Sequence, residues 1–160
     1  MHVSSPIAIA LLQNMTQVAV CLIKHSISVA PQLLDLAQGD FLLFGSHLHL
    51  AVVQSDVTVV KQLLKVPGSS CEIVNQREET PLHVAILQVQ AHPYAFMTRK
   101  LEIINTLIEA GCQLNSCDVY NWSPIHVAAK QTDQITANQS LLEWIIEKNQ
   151  SMPPGRQFDL

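Results

Sequence analysis

His49, His83 and His126 hold the same place in three similar hexapeptides, and thiols stand at Cys21, Cys71, Cys112 and Cys117. Imidazole and thiolate can ligate metals, move protons or attack electrophiles near neutral pH. Three imidazoles in register could form a ligand row or an acid–base set. Cys112 and Cys117 could meet a histidine at a metal, but no second ligand pair has zinc spacing and no C-x-x-C occurs. The four scattered thiols read as reduced core and loop residues. The five glycines, Gly39, Gly45, Gly68, Gly111 and Gly155, build neither a G-x-G-x-x-G nor a phosphate loop. H-E-x-x-H and G-x-S-x-G are absent from the sequence. No catalytic centre, cofactor site or metal site is expected. Buried polar groups need partners, so the in-register histidines are expected to be structural. His2, His25, His47 and His92 follow no pattern and are expected to be exposed.

The positioning elements must come from a chain of 160 residues, enough for one domain or one short solenoid. Hydrophobic residues make up 48% and charged residues only 14%, a balance that excludes intrinsic disorder. The net charge is -4, and without a basic stripe no nucleic-acid partner is expected. The apolar runs at residues 7–12 and 18–23 are interrupted by Gln13, Asn14, Thr16 and Gln17. Neither a membrane span nor a positively charged signal sequence is therefore expected. Asn14, Asn121 and Asn138 lie in glycosylation sequons, which matter only in a secreted chain.

Self-comparison reveals an internal repeat. Thr80-Pro81-Leu82-His83-Val84-Ala85 recurs as Ser123-Pro124-Ile125-His126-Val127-Ala128, more loosely as Ser46-His47-Leu48-His49-Leu50-Ala51, and weakly as Ser5-Pro6-Ile7-Ala8-Ile9-Ala10. Each copy opens with a hydroxyl side chain suited to cap a helix, and three continue with Pro at the first helical position. A second apolar group follows each copy: Val18, Leu22 and Ile23; Val60, Leu63 and Leu64; Ile104, Leu107 and Ile108; Leu142, Ile145 and Ile146. Steps of three and four place such residues on one helix face. Each unit is predicted to be helix, short turn, helix, with a loop leading to the next. Gly111 is expected to end the second helix of the third unit, and Asn149 that of the fourth.

These units resemble ankyrin repeats, whose period is about 33 residues. Thr80-Pro81-Leu82-His83 matches the family's T-P-L-H, and Gly111-Cys112-Gln113-Leu114-Asn115 resembles its G-A-D-V-N. Asp118, Asn121 and Ser123 follow its D-x-x-G-x-T, with Asn121 at the position where Gly takes a positive φ. The resemblance runs from about residue 5 to about residue 149. The first unit departs from it, lacking the His and a preceding loop. The unit starts at 5, 46, 80 and 123 imply insertions near 30–39, 90–99 and 132–137. The stretch Gly39-Asp40, Leu48-His49-Leu50-Ala51-Val52, Ile73-Val74-Asn75 and Thr80 to Ile86 also resembles the inhibitor-of-NF-κB branch of the family.

The resemblance implies an all-α solenoid over residues 1–150, followed by a loose tail at 151–160. It implies a monomer that binds another protein through a concave face and its loop tips, with a Rel-type transcription factor among the candidate partners. Masking such a factor would place the chain in the cytoplasm or nucleus. An ankyrin scaffold or adaptor in another pathway is the alternative, as is a decoy that competes with a longer repeat protein. Carried over by register, the contact residues are Val119, Tyr120 and Trp122 on the last finger, with Lys130 and Gln131 on its helix. The preceding unit offers Gln76, Arg77, Glu79, Leu87 and Gln88, and the second unit Leu42, Leu43, Val53 and Gln54. Tyr and Trp are enriched at binding hot spots, but Trp122 could equally fold back onto the stack. The apolar insertion at 89–98 could clamp onto the solenoid or meet a partner. Trp144 is placed at the end of the stack.

Overall fold

The computed structural model describes residues 5–29, 45–67, 69–91, 97–130 and 136–151. Among these are eight helices and no β-strand: α1 Pro6–Leu12, α2 Thr16–Val29, α3 His47–Val53, α4 Val57–Leu63, α5 Pro81–Ala91, α6 Met97–Glu109, α7 Pro124–Lys130 and α8 Thr136–Ser151. Each odd-numbered helix packs on the even-numbered helix that follows it. The odd-numbered helices also stack in chain order, α1 on α3, α3 on α5 and α5 on α7, and α2, α4 and α6 form a second row. This is the stack of helix pairs that the repeat implies.

Hydroxyl caps start the first row. Ser5 Oγ accepts the Ala8 N–H at 3.1 Å, with Pro6 at the first helical position, where its missing N–H costs nothing. Ser46 forms a capping box with His49 in place of the usual Glu or Gln. The stops that end α1, α3 and α6 are equally compact. After α1, Asn14 takes φ 58, its N–H reaches Leu11 O at 2.9 Å, and Met15 N–H reaches Ala10 O at 2.8 Å. Ser55, at φ 56 after α3, repeats the arrangement with Val52 and Ala51, and Gly111, at φ 95 after α6, with Ile108 and Leu107. All three are Schellman stops, which satisfy the last carbonyls of a helix. Asp56 then caps α4 by accepting the Val59 N–H. Asn149 does not play the expected part: it is buried within α8, which runs on to Ser151.

The core lies between the rows. Leu50, Ala51, Leu82, Ala85 and Ile86 of the first row meet Val59, Leu63, Ile104 and Leu107 of the second, all almost fully buried. In the first unit the stripe is shifted from the expected one: Ala19, Val20 and Ile23 are buried while Val18 is exposed. Trp144 packs half-buried against the core at the α7–α8 end.

Candidate functional site

The loops before α5 and α7 share one construction. In the first, Asn75 N–H donates to Glu79 O at 3.0 Å, and Asn75 Oδ1 accepts from the N–H groups of Arg77 and Glu79 at 2.8 and 3.1 Å. In the second, Asp118 N–H donates to Trp122 O at 2.9 Å, and Asp118 Oδ1 accepts from Tyr120 and Trp122 N–H, both at 2.9 Å. The turn residue before the last strut takes a positive φ in both, 57° at Glu78 and 61° at Asn121. Asn is at ease there, whereas Glu is strained by its Cβ. Short polar side chains that satisfy backbone N–H groups two and four residues on make each loop a rigid finger.

Histidine joins each finger to the helix before it. His49 Nδ1 accepts from Ser46 N–H at 3.2 Å and from the Ser46 hydroxyl at 2.9 Å, which leaves Nε2–H to donate to Glu79 O at 2.9 Å. His83 repeats this with Thr80 at 3.1 and 2.9 Å and with Trp122 O at 2.9 Å. Both nitrogens are occupied, in the tautomer with the proton on Nε2, so neither ring is placed for ligation or proton transfer. His126 keeps the Ser123 bonds, at 3.3 and 2.7 Å, and its residue is exposed. Burial holds His49 below the usual histidine range, against the opposing Glu79 bond. His47 corrects the sequence expectation, since it is buried and bonds through Nε2 to the Ser5 hydroxyl. His25 is exposed as expected, while His2 and His92 lie outside the described residues.

Neighbouring fingers touch. Val119 N–H donates to Arg77 O at 3.1 Å. Lower down, the Glu72 carboxylate accepts from Gln113 N–H at 2.9 Å and Ser116 Oγ at 2.6 Å. Two thiols meet beside this clamp: the bond to Cys71, with burial, pushes Cys112 far above the ordinary thiol range. Cys21 and Cys117 are exposed free thiols. No group of three or more His, Cys, Asp or Glu able to hold a metal occurs among the described residues.

The residues expected to contact a partner fall at several places in the fold. Gln76, Arg77, Val119 and Tyr120 occupy the finger tips and are exposed, Tyr120 to 73%. Val74, missed in the sequence, is exposed beside them. Glu79 is half-buried and its carboxylate accepts from Asn75 Nδ2 at 2.8 Å. Trp122 packs half-buried against the core, and Lys130 Nζ lies 3.9 Å from its ring centroid. Lys130 is thus engaged with the finger by a cation–π contact. Leu87 also packs on the core. Val53, Gln54 and Gln88 lie elsewhere, in a groove at the opposite end of the first-row helices. Leu42, Leu43, Gln131 and residues 92–96 of the insertion fall outside the described residues.

Comparison with known proteins agrees with this architecture. Residues 48–152 match the family model described as ankyrin repeats (3 copies). The NF-kappa-B p105 subunit of Rattus norvegicus is 31% identical over 91 residues, 54% of this chain and 8% of that protein. NF-kappa-B inhibitor alpha of Gallus gallus is 28% identical over 87 residues, 52% of this chain and 24% of that protein. The Sus scrofa inhibitor alpha is 29% identical over 89 residues, 54% and 25% respectively. The aligned region thus spans a quarter or less of each of these relatives.

Proposed function

This chain belongs to the ankyrin-repeat proteins, and from that premise we propose that it is a non-catalytic binding module that grips another protein with its finger tips. The supporting observation is a rigid row of fingers with Tyr120 held out at its edge. Asp118 and Asn121 fix the backbone under Tyr120, and Val119 ties that finger to Arg77. A large amphipathic ring on a fixed backbone gives contact area at low entropy cost. On this reading Tyr120, Val119, Val74, Gln76 and Arg77 make the contact, and Trp122 with Lys130 supports it.

The likeness to NF-kappa-B p105 and to NF-kappa-B inhibitor alpha supports a narrower form. The partner is then a Rel-type transcription factor, held masked in the cytoplasm or nucleus. Mixing the purified chain with purified Rel-type dimers and measuring the complex by interferometry tests it. Saturable binding weakened about tenfold or more by Tyr120→Ala is expected, as for a hot-spot aromatic. Absence of binding by the folded chain removes the Rel-type partner. Binding indifferent to Tyr120 removes the finger tips as the contact.

A further inference from the structure

The fingers precede the first-row helices, and the turns within pairs follow them. A groove of about 1160 Å³ crosses the turn edge, reaching from the α1–α2 turn over α4 to the first turn of α6. Its charge is opposite to that of the molecule. The whole chain has 9 Lys and Arg against 13 Asp and Glu. Among the described lining residues, the charged ones are Lys61, Lys65, Arg99 and Lys100 against only Asp56 and Glu102.

The two carboxylates are already engaged. Asp56 caps α4 through Oδ1 and accepts the Thr16 hydroxyl through Oδ2. Glu102 accepts Lys61 Nζ at 2.7 Å. The ammonium groups have donors to spare, because each carries three. Lys61 gives one to Glu102, and Lys100, buried at the floor, gives one to the Gln88 carbonyl. Burial lowers the Lys100 pKa, a penalty that an arriving anion would offset.

We propose that this groove is a docking site for an extended acidic peptide segment, whose carboxylates meet Lys61, Lys65, Arg99 and Lys100. The uncharged lining favours a peptide over other anions. Asn14, Gln54, Gln62 and Gln88 present amides that can donate to and accept from peptide groups. No aromatic ring stands among the described lining residues, so none of these residues offers a platform on which nucleic-acid bases could stack. Two steps of about 9 Å between three neighbouring units give a path that about six extended residues at about 3.3 Å each would fill. The site lies at the opposite edge from the fingers and does not depend on the Rel-type reading.

The test uses the full chain and a fluorescein-labelled peptide of alternating glutamate and serine, read by anisotropy. A glutamine–serine peptide and an oligothymidylate of equal length serve as comparisons. Saturable binding of the acidic peptide that falls steeply with salt is expected, with the neutral peptide and the oligothymidylate much weaker. Lys65→Glu, at an exposed site, is expected to weaken it about tenfold, and Arg77→Glu, on a finger, less than about twofold. Circular dichroism shows whether each variant is folded. Equal binding of acidic and neutral peptides overturns the proposal. So does tighter binding of the oligothymidylate, an equal loss in both folded variants, or no binding up to about millimolar peptide, the weak end of specific recognition.

Discussion

His49 is the residue on which the finger and the helix start both depend. Its neutral ring accepts at Nδ1 from Ser46 and donates at Nε2 to Glu79, while burial disfavours the charged form. The folded pKa therefore lies below the unfolded value of about 6.5. Below that value the unfolded chain takes up a proton that the native ring resists. This contribution to stability is full above about pH 6.5 and is lost as the pH falls toward the folded pKa. Urea melts between pH 7.5 and 5 are expected to show the decline. His49→Gln is expected to be less stable at neutral pH, by about 1–3 kcal/mol for buried groups left unpaired, with a shallower decline. An unchanged slope in the variant would assign the pH dependence to other groups. The thiols differ in a related way: native alkylation is expected to reach exposed Cys21 and Cys117 long before buried Cys112. Peptide mapping that finds Cys112 modified first would contradict its burial.

At the scale of elements, the stops and joints are set by backbone chirality. Gly111 takes φ 95 with open space where a Cβ would be. Gly111→Ala is expected to cost only the left-handed strain, about 1–2 kcal/mol. Gly45 takes φ 77, and a Cβ there would lie 2.8 Å from Asn75 Cβ and 3.0 Å from His49 Nδ1. Gly45→Ala is expected to cost more, because it adds a clash and disturbs the His49 bonds. Chemical denaturation of the two variants checks the order, and equal losses would show that the finger shifts freely. Helix starts and the Gly111 stop were legible in the sequence because capping and left-handed backbone favour few residue types. The stops at Asn14 and Ser55 were not, since their residue types also occur in ordinary turns. Asn75 and Glu78 were missed as the counterparts of Asp118 and Asn121 because Glu is a rare choice at positive φ.

For the whole molecule, stability is a sum over neighbours, since each unit packs on those beside it. Leu82 of α5 is fully buried in the middle of the stack. Leu82→Ala is expected to cost about 2–5 kcal/mol and to lower the main unfolding transition. Leu11 of α1 is as well buried but sits at one end. Leu11→Ala is expected to speed amide exchange in α1 and α2 and to leave α5 and α6 nearly untouched. Uniform acceleration along the chain would mean that the stack opens only as one body. The outward aromatic finger was legible from the repeat register, and Tyr120 stands where that register put it. Trp122, which the register could not separate from Tyr120, packs against the core beneath Lys130.

The order of residues alone determined the repeat, the capped helix starts, the apolar stripes and the structural place of the in-register histidines. Each of these is a local rule of spacing and hydrogen bonding that recurs down the chain. Only the tertiary structure decided which finger meets which histidine, that His47 is buried, and that lysines and an arginine far apart in sequence share one groove. Those outcomes depend on how one unit is laid against the next, and stacking brings together residues that no local spacing relates.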